Sequence, residues 1–157
     1  YTIGQVAKRG ARPVMWSDAI WTGRAEFLRR MSKDVLQSNW YYRSDFSPKK
    51  QQWDAEFEKK GGWGETKNGV AAFLELEKAG FDQLPCCSNW AEDACADAFV
   101  GFCKERIDPS RLKGFCMAPW SNGMDSKVKG VNMPHILNGL DLLKTAREKH
   151  YGPTIGT

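Results

Sequence analysis

Four short apolar runs begin near residues 14, 35, 81 and 112. Each ends in a tryptophan beside small polar residues: Met15-Trp16-Ser17-Asp18, Ser38-Asn39-Trp40, Ser88-Asn89-Trp90 and Pro119-Trp120-Ser121-Asn122. Segments of helical periodicity separate them. Regular alternation of strand and helix calls for parallel strands in βαβ units, joined in sequential order by right-handed crossovers. The spacing is close to the roughly 31 residues per unit of a ~250-residue eightfold barrel. The expected fold class is therefore α/β, with four successive β/α units forming half of a (β/α)8 barrel. Residues 1–157 form a single half-barrel domain in this reading, one part of a larger catalytic domain. An open four-stranded sheet satisfies the same pattern.

The individual elements follow from local signals. Lys8-Arg9-Gly10 reads as a helix end, so the chain opens inside a helix, as a piece of a longer polypeptide would. Val14 to Trp16 has a buried-strand pattern, residues 22–31 a helical one, and Val35 to Tyr42 that of a second strand. Residues 43–68, with Pro48, Gly61, Gly62 and Gly64, read as a long irregular stretch with a helical turn near Trp53 to Phe57. A helix over 70–79 stops at Gly80, and a third strand runs from Phe81 to Cys87. A helix over 91–106 is broken by Asp108-Pro109-Ser110, a fourth strand spans 112–118, and the last helix spans 134–149. Val14, Leu36, Leu84 and Phe115 are the strand residues expected to fill the core or seek cover. Two open sheet edges predict self-association or pairing with the missing half of the barrel.

Composition excludes several function classes. Twenty-three basic and 19 acidic residues leave a net charge of only +4, with no basic run longer than a pair, so no nucleic-acid partner is expected. No window is apolar enough for a membrane span. Five cysteines leave one unpaired in any disulfide scheme and fix no compartment. With two histidines and no C-x-x-C, neither a metal site nor a cofactor is expected. Seven tryptophans, by contrast, are many for such a chain; they can form a Trp-rich core, or, where in excess of core needs, suit flat amphipathic ligands such as sugars.

The C-terminal ends of barrel strands face the active site. Trp16, Trp40, Trp90 and Trp120 would converge there, stacking on a pyranose while Asp18, Asn39, Tyr42, Asp93 and Asn122 bond its hydroxyls. These strand ends resemble the last four strands of family 20 glycoside hydrolases, the β-N-acetylhexosaminidase class. Trp16-Ser17-Asp18 is similar to the Trp-acid pair after that family's fifth strand, and Trp40 to the Trp near the end of its sixth. Cys87-Ser88-Asn89-Trp90-Ala91-Glu92-Asp93 is similar in outline to the end of its seventh, though without the Tyr that follows there. Trp120-Ser121-Asn122 matches the eighth only in its Trp, since Asn122 stands where the family has an acid. The resemblance implies the C-terminal half of a hydrolase barrel acting on N-acetylhexosaminide-like sugars. The parent would be secreted, periplasmic or lysosomal. It also implies that the catalytic Asp-Glu pair, which follows the family's fourth strand, lies on the missing half.

Other candidates come from the residues themselves. Asp18, Asp45, Glu92, Asp93 and Asp125 lie near strand ends, and Asp18 with Asp93 is the pair best placed to serve as carboxylates of an independent hydrolytic enzyme. Glu92 also suits the start of the following helix. A non-catalytic carbohydrate-binding module is the remaining alternative. Cys86-Cys87 could act as a nucleophile only in contact with His135. His150 suits the negative end of the last helix.

Overall fold

A computed structural model of the chain describes residues 2–60, 67–120, 124–125, 130–131 and 133–153. Its order is α1 (Thr2–Lys8), β1 (Val14–Trp16), α2 (Ala19–Thr22), α3 (Arg24–Arg30), β2 (Leu36–Ser38), α4 (Pro48–Gln51), α5 (Ala55–Lys60), α6 (Lys67–Lys78), β3 (Cys86–Cys87), α7 (Cys95–Arg106), β4 (Cys116–Met117), β5 (Met124–Asp125), β6 (Gly130–Val131) and α8 (Met133–Tyr151). The architecture is mixed α/β. A closed barrel is not present among the described residues.

β1 pairs with β2 and β3 with β4, both in parallel. Parallel bridges at Gln37–Gln83 and Trp40–Cys86 join the two pairs, and one at Gln83–Leu112 extends the pairing of β3 with β4. Backbone bonds carry the connection: Gln37 N–H donates to Asp82 O, Leu84 N–H to Gln37 O and Cys86 N–H to Asn39 O. The four strands thus lie side by side in chain order, as expected from the alternation of elements. They are shorter than the apolar runs that encode them. β5 and β6 form an antiparallel pair that the sequence did not announce.

Helix ends follow local chemistry. Gly10 and Gly80 close α1 and α6 with positive φ of 72° and 79°, a conformation that costs other residues strain. Asp18, which precedes α2, is itself helical in φ and ψ, and this short helix has no apolar period of its own to betray it. The stretch over residues 43–68, expected to be irregular apart from a helical turn near Trp53 to Phe57, holds α4, α5, which overlaps that turn, and the start of α6. α4 begins with Pro48, whose fixed φ is preorganised for a first turn.

Two apolar clusters hold the fold. One gathers Tyr41, Val70, Phe73, Phe99, Val100 and Ile107 between α6, α7 and the sheet. The other gathers Ile20, Trp21, Phe27, Leu76 and Phe81 between α2, α3 and α6. Phe73 meets Phe99 edge-on at 5.6 Å, a geometry aromatic pairs favour. One expectation is overturned: the Val14-Met15-Trp16 run is not buried. Its residues are 54%, 38% and 43% exposed, because β1 is an edge strand with no described element packed over it.

Candidate functional site

Three of the four strand-end tryptophans come together. Trp40 follows β2 and stacks on Tyr42 with ring centroids 4.6 Å apart. Its indole N–H donates to Asp18 Oδ1, at the end of β1. Trp120, beyond β4, donates its indole N–H to the Tyr42 hydroxyl at 2.6 Å. Trp16, the last residue of β1, lies 6.4 Å from Trp120. β1 and β4 are the first and fourth strands, which a flat sheet would hold about 14 Å apart at ~4.8 Å per strand. Their terminal rings nevertheless meet across the sheet, closing a loop of contacts through Trp16, Trp120, Tyr42, Trp40 and Asp18.

The cluster has a buried base and an open top. Tyr42 is buried, while Trp16 and Trp120 are 43% and 49% exposed. Burial pushes the Tyr42 phenol well above its ordinary range, against the opposing Trp120 hydrogen bond, and the nearby thiols and Asp18 add to the shift. Tyr42 therefore stays a neutral phenol. Beneath it Trp21 packs on Trp40 at 4.5 Å. Trp21 was not among the residues expected at the site; its only signal is the position three residues after Asp18. Asn39 is fully buried, accepting from Trp21 Nε1 at 3.0 Å and donating to Gly69 O at 2.8 Å. Both ends of its amide are committed to protein partners, so it positions the tryptophans rather than facing a ligand. Gly69 suits the close approach, since a Cβ there would sit 3.4 Å from the Tyr41 ring.

The remaining candidates lie elsewhere. Trp90 is 45% exposed and its ring pairs with no other aromatic ring among the described residues; its backbone N–H bonds Ser88 Oγ at 2.9 Å. Asp93 is exposed, and its carboxylate faces α8, accepting from Asn138 Nδ2 at 3.4 Å. No contact joins it to Asp18 among the described residues. Glu92 does not cap α7, which begins at Cys95 without a side-chain cap. Instead its carboxylate accepts the Ser44 backbone N–H at 2.6 Å, pinning the loop after β2. Asn122 lies outside the described residues, as do Gly61, Gly62 and Gly64; of Asp125 only the backbone is described. Asp45 is exposed and its carboxylate bonds the Ser47 N–H, closing a local turn.

Cys86 and Cys87 are buried and free, and desolvation raises both thiols far above the range of a reactive thiolate. His135 stands beside Asn89, whose amide donates to the His135 carbonyl at 3.0 Å. This is a clamp between the end of β3 and α8, with no thiol in it. His150 bonds Asp97 at 3.0 Å and ties α8 to α7. No group of three or more His, Cys, Asp or Glu able to hold a metal ion occurs among the described residues, and no described helix is long and apolar enough to cross a membrane.

In chemical terms the cluster offers two exposed indole faces, a neutral phenol and one carboxylate. Such a surface can stack on a flat amphipathic ring and bond its hydroxyls. Among the described residues Asp18 is the one carboxylate in this cluster. No protein-family model, no curated protein and no solved structure matches the chain.

Proposed function

We propose that this chain is the sugar-binding half of a carbohydrate-active (β/α)8 barrel, similar to the C-terminal half of a family 20 glycoside hydrolase domain. The supporting observation is the convergence of Trp16, Trp40 and Trp120 on Tyr42 and Asp18 at the C-terminal ends of parallel strands, where barrel enzymes place their sites. Exposed Trp16 and Trp120 would stack on the apolar face of an N-acetylhexosaminide-like sugar. Asp18 would accept a hydroxyl hydrogen bond beside the one it takes from Trp40. The acid pair of such a hydrolase would come from the complementary half, which would also cover the exposed residues of β1.

A non-catalytic carbohydrate-binding module is the second reading, favoured by the lone carboxylate of the cluster. An independent hydrolase using Asp18 and Asp93 has less support, because Asp93 faces Asn138 on α8.

The test is a calorimetric titration of the chain with N-acetylglucosamine beside an aryl N-acetylglucosaminide assay. Saturable, weak binding that disappears in Trp120→Ala, with no turnover, is the expected outcome. General acid catalysis supplies ~10²–10⁴-fold in rate, which stacking cannot replace. Turnover abolished by Asp18→Asn would instead establish catalysis within this chain. Binding unaffected by Trp120→Ala would remove the tryptophan cluster as the sugar site.

A further inference from the structure

Helix α8 has two faces of opposite character. Gly139 and Ala146 are buried on the face toward α7 and the end of β3. Met133, Leu137 and Leu140, at helical spacing on the other face, are 51%, 53% and 50% exposed. Continuing along the same row come Lys144, Arg147 and Tyr151. An exposed apolar stripe of this kind marks an interaction surface. The helix has 19 residues, about 28 Å at 1.5 Å per residue, longer than a small ligand spans.

The stripe runs into a cleft of about 530 Å³ between α8 and the segment entering β4, floored by Leu112, Phe115 and Leu140. Three cations line it, Lys113, Lys144 and Arg147, and no carboxylate does. Lys113 lies 3.5 Å from Asp82 and Arg147 bonds the Gly152 carbonyl, but Lys144 is exposed with no acidic partner among the described residues. The cleft also borders a sheet edge. Cys116 N–H and Ala118 N–H donate toward β3, so the alternate residues Phe115 and Met117 turn their amides the other way, where no described strand lies.

We infer that the α8 stripe and the β4 edge together form a docking surface for an extended polypeptide segment that is apolar along its length and acidic where it meets Lys113, Lys144 and Arg147. Main-chain bonds to the β4 edge would supply affinity, and the alternating side chains and the acidic end would supply specificity. A second copy of this chain is the wrong occupant. Paired in parallel, the strand it would offer, β1, is entered through exposed Lys8 and Arg9, which would face the same three cations, while Arg12 is already held by Asp82 at 2.7 Å. A membrane surface is also disfavoured, because the apolar and cationic groups succeed one another along α8 instead of occupying its two sides. This inference rests on the half-barrel part of the proposed function, in which the segment is the neighbouring strand of the complementary half, and not on sugar binding.

The experiment uses the full chain and two short acetylated peptides that alternate valine and threonine, one ending in paired glutamates and the other in paired lysines. Backbone-amide NMR titration reads both affinity and location. The expected result is saturable binding of the acidic peptide, with shifts confined to residues of α8 and the β4 edge. Binding should weaken with salt and be at least about tenfold tighter than that of the basic peptide. Lys144→Glu, at an exposed position, should reduce or invert that preference, and Leu140→Glu should abolish binding while circular dichroism stays unchanged. Equal binding of the two peptides, binding of neither, or full affinity in Leu140→Glu would overturn the inference. So would a concentration-dependent dimer dispersed by Leu140→Glu, or sedimentation with phosphatidylserine vesicles that needs Leu140. N-acetylglucosamine binding measured on the same samples separates failure here from failure of the sugar reading.

Discussion

The central and outer strands of the sheet invert the usual rule of burial. β2, β3 and the residues flanking them bury polar side chains: Gln37, Asn39, Gln83 and Ser88 are solvent-inaccessible. Edge strand β1 leaves Val14, Met15 and Trp16 in solvent. Both are stable arrangements for different reasons. The buried amides are hydrogen-bonded: Gln37 Oε1 accepts from Ser17 at 3.1 Å and its Nε2 donates to the Val35 carbonyl at 3.0 Å, while Gln83 Nε2 donates to Phe73 O at 3.1 Å. A buried polar group so partnered costs little, whereas an orphaned one costs a desolvation penalty; Gln83 Oε1, buried with no hydrogen-bond partner among the described residues, is such an orphan. The β1 side chains are apolar without cover, and a strand of that composition is stable there only because β2 holds its backbone. Polarity in the middle and apolarity at the edge are what a sheet with further packing partners on its outer sides would show.

The comparison yields four predictions in descending order of effect. Phe99 is fully buried against Phe73, Phe46 and Phe115. Phe99→Ala should cost about 3–5 kcal/mol in urea unfolding, by lost burial and the cavity left behind. Asn39→Ala strands the Trp21 indole N–H and the Gly69 carbonyl in the interior, and should cost about 1–3 kcal/mol. A neutral result there would mean that water reaches the base of the aromatic cluster, and a shift in Trp21 fluorescence would reveal it.

The third concerns the packing of α7 on α8. The hydrogen bond from Lys149, with a smaller contribution from His150, holds the Asp97 carboxyl below the usual carboxylate range. A carboxyl lowered in the folded state stabilises the fold above its unfolded pKa, and that contribution is lost as pH falls through the lowered value. Melting temperatures of the wild type and Asp97→Asn should therefore differ modestly at neutral pH and converge in acid. The side chain is 48% exposed, so solvent screening keeps the difference small. A gap that persists at low pH would mean that the amide disturbs packing rather than charge.

The smallest effect is expected at the edge: Val14→Thr should change stability by no more than about 0.5 kcal/mol. A larger cost would show that β1 is covered in solution. Repeated with a bound partner, the same measurement would locate that cover.

Much of the architecture was legible in the residues. Helical periodicity over 70–79 and the glycines at 10 and 80 marked α6 and two helix ends, because amphipathic period and positive φ are local properties. The parallel pairing of the strands followed from alternation of strand and helix, and their sequential order from the tendency of successive units to lie side by side. The recurrent strand-end tryptophans pointed to one end of the sheet for the same reason. What depended on non-local contacts escaped the sequence. Val-Met-Trp reads as buried from its composition, yet no described element packs over β1 and the run is exposed. Asn39 and Tyr42 are adjacent polar candidates at one strand end, yet Asn39 is consumed by Trp21 and Gly69 while Tyr42 joins Trp40 to Trp120. Glu92 and Asp93 look alike beside a helix start, but the first reaches back to Ser44 and the second forward to Asn138. A residue's type and local period decide whether it can form a strand, a cap or an aromatic contact; its partner is chosen across the fold, by chain segments that local sequence does not bring together.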